Sequence, residues 1–313
     1  MLTFNLKAFT TLRQAKIYQM KKLSYYILDV FTHQPYKGNP LSVVWCDDEL
    51  ELSQYYNIAR EFGYSETSFV SYSDAEKSLK VRSFTPGNYE VGGGGHNFLG
   101  AVSLALLKGW DIFNGQGDEH WVTMKNEKLP VVISEENGLI LVAVKQQAAK
   151  NLGTVSPEIV AAALGLKTTD LELNNWKPTI MKTEVAHIMV PVKNRALLNQ
   201  AIPSPDKLKE ISKDYGFEGF YLYTTDVSEN GYLSETRFFN PAYGIDEDPA
   251  TGTAAGPLAG FLQQVGYINT DQDYTILQGV LVNHPSTIHI KVTPENVLVS
   301  GSSVIVMEGT LFL

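Results

Sequence analysis

Two stretches of the chain are apolar on nearly every side at helical spacing, which is typical of helices buried inside a fold. One covers about 97–108 and the other about 253–265. Most other apolar residues form short β-branched and aromatic runs or alternate with polar residues, which predicts strands. The predicted strands include 25–31, 41–45, 79–84, 187–192, 219–223, 233–239 and 288–292. The pattern predicts an α+β fold, because strands and helices do not alternate along the chain as they do in a dinucleotide-binding fold.

A short motif occurs twice, once before each buried helix. Arg82-Ser83-Phe84-Thr85-Pro86 and Arg237-Phe238-Phe239-Asn240-Pro241 share the pattern R-x-F-x-P, offset by 237 − 82 = 155 residues. An internal repeat at half the chain length predicts two similar lobes that face each other, each with strands rolled around one helix. The polar segment 145–153 is the predicted crossing between the lobes, and the acidic segment 246–248 is a predicted loop. The expected boundaries are an N-terminal extension over 1–19 that the fold need not include, a first lobe over 20–146 plus 300–313, and a second lobe over 147–299.

The composition of the 313-residue chain is that of a globular protein, with 44% hydrophobic and 19% charged residues. A net charge of −9 argues against nucleic acid and anionic membranes as partners. The single cysteine, Cys46, excludes an internal disulfide framework and fits a reducing cytoplasm, and no apolar run approaches the ~18 residues of a membrane helix. The N-terminal segment is basic and lacks acids. We interpret Met20 as the start of the working protein, with a targeting peptide as the alternative.

Three titratable residues lie next to predicted turns and helix starts: Glu66, His96 and Asp248. Each has an ordinary explanation when taken alone. Glu66 could be a solvated turn carboxylate, His96 a cap of its own helix, and Asp248 an N-cap before a proline. Taken together with two glycine-marked helix starts, whose unpaired amides could hold a carboxylate, they suggest acid/base chemistry. Proton abstraction next to a carboxylate needs little beyond a base, an acid and such dipoles.

Other kinds of site find no support in the sequence. The four glycines at 92–95 lack the G-x-G-x-x-G spacing and are not followed by Gly-Lys-Ser/Thr, which argues against a nucleotide-binding loop. His284 and His289 have no acidic partners at metal-ligand spacing, and Cys46 has no companion. No G-x-S-x-G nucleophile elbow is present. We therefore expect no metal site.

Several motifs resemble the PhzF-like family of isomerases from phenazine biosynthesis, which shares the diaminopimelate epimerase fold. The similarity extends from about residue 24 to the C-terminus. The matching segments are Asp29-Val30-Phe31, Tyr36-Lys37-Gly38-Asn39-Pro40-Leu41, Ser65-Glu66-Thr67-Ser68-Phe69-Val70, Phe84-Thr85-Pro86, Gly95-His96, Gly244-Ile245-Asp246-Glu247-Asp248-Pro249-Ala250-Thr251-Gly252-Thr253-Ala254 and Gln278-Gly279. The resemblance implies two lobes, each a β-barrel-like roll around a central helix, with the active site between them. It also implies no cofactor, no metal, a small carboxylate-bearing substrate and a homodimer.

The same resemblance implies roles for individual residues. Glu66 would be the general acid/base, and His96 and Asp248 would assist the proton transfer or orient the substrate. The remaining three groups would bind the carboxylate side of the substrate: the amides of Gly95 and Gly252, and Thr253.

Two differences from related proteins bear on the reaction. Epimerases of this fold use two cysteines at the helix starts as opposed bases. Here those positions look like His96 and Thr253, so two-thiol racemisation is unavailable, and a carboxylate acting on one face suits a proton shift. The segment Gly93-Gly94-Gly95-His96-Asn97-Phe98 replaces an Ala-Gly-His-Pro-Thr-like sequence, which adds flexible glycines and removes a hydroxyl, and Thr253 replaces a serine. Both changes would alter the substrate.

The leading hypothesis is a cofactor-independent isomerase that shifts a proton in a small carboxylate-bearing metabolite bound between the lobes. The alternatives are a racemase or epimerase, and a metabolite-binding relative without activity.

Overall fold

A computed structural model describes residues 20–113, 120–125, 127–136 and 138–313. The extension expected over 1–19 lies outside these described residues. Within them, no helix combines the length and the apolar character that crossing a membrane requires.

The described residues form eighteen strands and six α-helices, with short 3-10 turns at Thr168–Leu171 and Pro241–Tyr243. The strands are β1 (Lys22–Val30), β2 (Asn39–Trp45), β3 (Thr67–Ser73), β4 (Ser78–Thr85), β5 (Tyr89–Val91), β6 (His120–Met124), β7 (Glu127–Glu136), β8 (Leu139–Gln147), β9 (Lys150–Thr154), β10 (Thr179–Lys182), β11 (Ala186–Pro191), β12 (Gly219–Thr224), β13 (Ser234–Asn240), β14 (Ile245–Asp248), β15 (Asp273–Gln278), β16 (Ser286–Val292), β17 (Asn296–Gly301) and β18 (Ser303–Phe312). The helices are α1 (Leu52–Phe62), α2 (His96–Leu107), α3 (Pro157–Ala163), α4 (Arg195–Gln200), α5 (Pro205–Tyr215) and α6 (Gly252–Gln264).

The series of parallel and antiparallel pairs is the same whether the strands are read from one end of the sheet or from the other. The order is β18-β1-β2-β3-β4-β6-β7-β8-β17-β16-β15-β13-β12-β11-β10-β9, with β5 added to β4 and β14 added to β13. The parallel pairs β2–β3 and β4–β6 have their counterparts in β11–β12 and β13–β15. The antiparallel pair β8–β17 lies at the centre. We call β1–β8 with β18, α1 and α2 the first lobe, and β9–β17 with α3–α6 the second lobe.

Each lobe is rolled around one buried helix, as predicted. Helix α2 contacts β1–β4, β8 and β18, and helix α6 contacts β9–β11, β16 and β17. Because both helices are apolar on nearly all sides, only a position inside the roll removes their whole surface from water. Both helices and the inward-facing strand residues share one continuous apolar core, while α1 and α3–α5 cover separate apolar clusters on the outer faces of the strands.

Close contact between helix and strand depends on glycine at one equivalent position in each lobe. A side chain at Gly100 of α2 would come within 2.5 Å of Leu41 on β2. A side chain at Gly256 of α6 would come within 2.0 Å of Gln146 on β8. The two glycines are 256 − 100 = 156 residues apart, close to the offset of the repeated motif. The two glycines therefore occupy the same position in their helices, but Gly100 packs against a strand of its own lobe and Gly256 against a strand of the other lobe.

The repeated R-x-F motif forms the same ion pair in both lobes. Arg82 on β4 binds both carboxylate oxygens of Glu90 on β5 at 2.8 and 3.0 Å, and lies over the ring of Phe84. Arg237 on β13 binds both oxygens of Glu247 on β14 at 3.0 and 2.7 Å, and lies over the ring two residues further on. Such two-pronged pairs fix orientation as well as distance, so each pair holds the short strand that leads toward a central helix.

Strands occupy two segments for which none was predicted, the crossing between the lobes at 145–153 and the loop at 246–248. The predicted crossing at 145–153 contains the end of β8, paired with β17, and most of β9, paired with β10. All five residues of β9 are exposed, so this strand has no apolar alternation that could reveal it in the sequence. The acidic segment 246–248 belongs to β14, which the Arg237–Glu247 pair and β13 hold in place.

The two ion pairs should differ in their contribution to stability. Arg237 is nearly buried and also donates to the carbonyl oxygens of Leu198 and Ala201, both at 2.9 Å, whereas Arg82 is about a third exposed. Arg237→Met is therefore expected to lower the free energy of unfolding by about 3–5 kcal/mol, because Glu247 would remain buried without its partner. Arg82→Met should cost about 1 kcal/mol or less. Denaturant unfolding of both variants measures this, and equal losses would contradict it.

Candidate active site

Glu66 occupies the turn that leads into β3 and points into the contact between the lobes. Its side chain is 19% exposed, and its Oε2 atom lies 3.6 Å from Nδ1 of His96. Burial, followed by the negative charge of Asp248, raises the pKa of Glu66 to about 8. Most of the Glu66 population is therefore protonated at neutral pH, which is unusual for a glutamate.

His96 is the first residue of α2, directly after its N-cap residue Gly95. Burial lowers the pKa of His96 to about 4, so the imidazole is neutral at neutral pH. The contact between His96 and Glu66 is consequently one of two neutral groups and not an ion pair. A separation of 3.6 Å is also too long for a hydrogen bond. Nε2 of His96 and Oε2 of Glu66 are both buried without a hydrogen-bond partner among the described residues.

Asp248 ends β14 in the second lobe, and its charge acts on Glu66 of the first lobe. Its Oδ1 accepts a hydrogen bond from Nδ2 of Asn39 at 2.8 Å, and its Oδ2 accepts one from the hydroxyl of Thr251. Burial raises the pKa of Asp248 to about 6, while these two hydrogen bonds act in the opposite direction. Asp248 is thus mostly ionised at neutral pH, and Glu66 beside it is mostly protonated.

Gln278 at the end of β15 holds the segment that carries Asp248. Its Nε2 donates to the backbone oxygen of Asp248 at 2.8 Å and lies 3.0 Å from the hydroxyl oxygen of Thr251. Its Oε1 accepts from the Thr251 amide at 3.1 Å and from the Tyr221 hydroxyl at 3.0 Å. Asn39 and Gln278 belong to the matching motifs, but no role was predicted for either residue. The signal available for Gln278 was a polar residue directly after the apolar Ile276-Leu277 of a strand.

The two central helices both begin at the candidate site. The first amides bonded back to the N-cap carbonyl are those of Phe98 in α2 and Ala254 in α6. The amides of the two preceding residues therefore have no acceptor within their own helix and can bind an anion. These open amides belong to His96 and Asn97 in α2, and to Gly252 and Thr253 in α6.

His96 and Thr253 lie at different positions within their helices. Thr253 is the second residue of α6 and therefore corresponds to Asn97 in α2, whereas His96 corresponds to Gly252. The amide of Gly95 is already bonded to Oδ1 of Asn97 at 3.0 Å and to the Gly93 oxygen. A ligand at Gly95 would have to share or displace these bonds, and the binding roles of Gly95, Gly252 and Thr253 stay predictions. Asp248 does not cap α6, since the N-cap residue is Thr251.

The glycine run before α2 has a packing explanation. A side chain at Gly92 would come within 2.9 Å of Lys125, and one at Gly94 within 2.9 Å of Val144. Gly93 has φ of 137°, a backbone conformation that favours glycine. Close contacts and backbone conformation therefore account for these glycines without the flexibility that the sequence suggested.

One surface cavity lies away from this cluster. It has a volume of about 420 Å³ and is lined by Ser24, Tyr26, Trp45, Tyr72, Trp110, Asp111 and Ile112. The last three of these follow the C-terminal end of α2, whereas His96 begins that helix. The cavity is thus roughly a helix length, about 18 Å, from His96. We place the candidate active site at the carboxyl cluster, because that is where the shifted titratable groups meet. Among the described residues no three His, Cys, Asp or Glu side chains are grouped as a metal site would require.

The chain is similar in sequence to proteins of one known family. The profile of the family described as "phenazine biosynthesis-like protein" matches residues 28–309. The chain is 30% identical to a trans-2,3-dihydro-3-hydroxyanthranilate isomerase of Pseudomonas fluorescens over 302 residues, covering 93% of this chain and 99% of the relative.

Solved structures support the same fold. A PhzF-family phenazine biosynthesis protein from Bacillus anthracis superposes with a TM-score of 0.84 and 24% identity, covering 94% of this chain and all of that one. A hydroxyproline epimerase from Agrobacterium vitis gives a TM-score of 0.61 at 10% identity, covering 93% of this chain and 91% of that one. The predicted α+β fold with two epimerase-like lobes is confirmed. With the profile match over most of its length, the chain belongs to the phenazine biosynthesis-like (PhzF) family of isomerases.

Proposed function

We propose that the protein is a cofactor-independent isomerase that shifts a proton within a small carboxylate-bearing metabolite held between the lobes. In this reaction the ionised form of Glu66 removes a proton from one carbon as the C–H bond breaks. The electron pair moves through an adjacent double bond, and Glu66, whose carboxyl proton can exchange with solvent, returns a proton to another carbon of the same molecule. The Glu66 carboxylate is regenerated, and the substrate and product have the same composition.

The observation that carries this proposal is the state of the two carboxyl groups. Glu66 has a raised pKa and a buried oxygen atom without a partner, whereas both oxygens of Asp248 are hydrogen-bonded. A group whose pKa lies near the working pH is suited to both giving and taking a proton. The fixed negative charge of Asp248 supports Glu66 in this role, because it raises the pKa of Glu66.

The other groups at the site have supporting roles in this proposal. Neutral His96 can donate or accept a hydrogen bond through the buried Nε2 atom, depending on its tautomer. The open amides at the starts of α2 and α6 would hold the carboxylate and the negative charge that develops during proton removal. A dry contact between the lobes would strengthen these interactions.

The same observation favours a proton shift over epimerisation. Inversion of a stereocentre by proton transfer uses two groups on opposite faces, one to remove the proton and one to return it. Here a single carboxyl group is free of hydrogen bonds, because Asn39 and Thr251 occupy the two oxygens of Asp248. Solvent deuterium in the product without inversion of a stereocentre distinguishes the two reactions.

The first prediction concerns proton transfer itself. In D2O, the wild-type protein is expected to place solvent deuterium at carbon in a substrate found by screening small carboxylates. Glu66→Gln should slow this at least 100-fold, because the amide cannot accept the proton. Mass spectrometry or proton NMR measures the exchange, and Glu61→Gln on the exposed side of α1 is the control that should keep it. Exchange at an unchanged rate in Glu66→Gln would rule out this role, and a stabilising ligand that shows no exchange would favour a binding protein.

The second prediction concerns pH. If Glu66 must be ionised in the free enzyme, kcat/KM should rise with pH and level off above about 8, following the pKa of Glu66. Asp248→Asn removes the negative charge that raises this pKa, so the rise should move to lower pH. The effect is partial, since burial is the larger cause. A pH profile of both proteins measures the shift, and a shift to higher pH would contradict the proposed coupling.

The third prediction concerns stability. The ordinary pKa of a glutamate is near 4.5, and that of Glu66 in the folded protein is about 8, so the folded state binds the proton more tightly than the unfolded chain. Stability is then lost as pH rises from 4.5 to 8. Glu66→Gln should avoid this loss and be more stable than wild type at pH 8 by on the order of 3 kcal/mol, with a much smaller gain at pH 5. Denaturant unfolding at both pH values measures the difference, and a constant difference would contradict it.

A further inference from the structure

Asn39 joins the two lobes at the candidate active site. It is the first residue of β2 and is almost fully buried. Its Nδ2 atom donates to Oδ1 of Asp248 at 2.8 Å and to the backbone oxygen of Ala250 at 2.9 Å. An amide NH2 group has two hydrogens to donate. Both are used here, and both acceptors belong to the second lobe.

The turn that presents Asn39 is packed against both lobes. Gly38 has φ of 71°, and a side chain there would come within 2.4 Å of the Val30 oxygen on β1. The Gly38 amide donates to the oxygen of Pro285 at 3.2 Å, and Nδ1 of His284 lies 3.1 Å from the Gly38 oxygen. The amide of Asn39 is therefore directed by backbone that strand β1 and the second lobe hold in place.

The two oxygens of Asp248 receive hydrogen bonds from opposite lobes. Thr251, in the second lobe, binds Oδ2, and Gln278 fixes this side by binding the hydroxyl oxygen of Thr251 and the backbone of Asp248. Among the described residues, Asn39 is the donor that the first lobe supplies to the carboxylate. Loss of Asn39 would leave Oδ1 buried without this donor, which is costly for a charged group.

We infer that Asn39 is a positioning residue, which holds the Asp248 carboxylate in its ionised form near Glu66. Because Asn39 belongs to the first lobe and Asp248 to the second, the ionised form of Asp248 then depends on the contact between the lobes. The inference rests on the proposed function for its chemical meaning, because it concerns which carboxyl group holds the proton in the ligand-free enzyme. Asn39 itself contacts Asp248 and does not act on the reacting atoms.

The titration behaviour of the site agrees with this geometry. The hydrogen bond from Asn39 lowers the pKa of Asp248 against the effect of burial, and the charge of Asp248 raises the pKa of Glu66. His96 is neutral at the same pH. The other titratable groups packed near the Asn39 turn are Asp29, which accepts from the Tyr36 amide, and His284. Asn39 thus favours the state in which Glu66 is protonated and Asp248 is ionised.

The test is a titration of the carboxyl groups in the ligand-free protein. Carbon-13 NMR of protein labelled at the Asp and Glu carboxyl carbons follows both groups, with Asp248→Asn and Glu66→Gln used for assignment. In Asn39→Leu, the midpoint of Asp248 should rise by about one pH unit, which is the effect of one hydrogen bond to a charged group. The midpoint of Glu66 should fall, because its neighbour then carries less charge. The wild-type midpoints are the reference.

A matched control separates this role from a general effect of buried amides. Gln146 on β8 also crosses to the start of α6, where its Nε2 donates to the Gly252 oxygen at 3.0 Å, but it bonds to neither carboxyl group. Gln146→Met should leave both midpoints unchanged. Unchanged midpoints in folded Asn39→Leu, or an equal shift in Gln146→Met, would overturn the inference. If Asn39→Leu does not fold, Asn39→Ser, whose hydroxyl is too short to reach both acceptors, should shift the midpoints in the same direction.

The titration needs no substrate, so its outcome is separate from that of the proposed reaction. If the wild-type protein shows no deuterium exchange, the proposed function fails while the midpoints still decide the role of Asn39. If exchange is found, the rise of kcat/KM with pH should occur at lower pH in Asn39→Leu than in wild type. An unchanged pH profile with only a weaker KM would indicate a packing role and overturn the inference.

Discussion

The charge interaction between two carboxyl groups, the buried Asp248 and the mostly buried Glu66, is the constraint on which the rest of the site depends. A buried carboxylate is stable only if hydrogen bonds replace the water it loses, and two of them in contact also repel each other. Asp248 receives donors on both oxygens, from Asn39 and Thr251, and keeps its charge. Glu66 has no such donors on its buried oxygen and keeps its proton instead. The difference between the two groups therefore comes from the hydrogen bonds to Asp248 and from its charge, which raises the pKa of Glu66.

The scaffold is symmetric, and the chemistry is not. Glu218 precedes β12 in the second lobe just as Glu66 precedes β3 in the first, and burial raises the pKa of Glu218 as well. Yet Gly252 begins α6 where His96 begins α2, and Glu218 is within 3.5 Å of the Tyr243 hydroxyl. The carboxyl group whose charge acts on Glu66 is Asp248. A duplicated fold thus supplies two helix starts. Different side chains at equivalent positions of the two lobes decide that Glu66 carries the proton.

Much of the architecture could be predicted because it follows from local patterns. The two helices without a polar face had to be buried, and the repeated R-x-F-x-P motif indicated two lobes. The exposed edge strand β9 and the acidic strand β14 were missed, since both are held by pairing with distant strands and carry no apolar alternation. The sequence also did not show that His96 is the first residue of its helix and Thr253 the second, because this depends on the helix boundaries.

The sequence by itself determined the fold class, the repeat and the residue types available for acid/base chemistry, because these depend on periodicity and composition along the chain. Its motifs also made Glu66, His96 and Asp248 candidates for the site, and their roles in a reaction stay predictions. Only the tertiary structure decided that Asn39 lies against Asp248, 209 residues away, and that Glu66 lies close enough to Asp248 for their charges to interact. Protonation depends on burial and on neighbours brought together from both lobes, and that information exists only once the chain has folded.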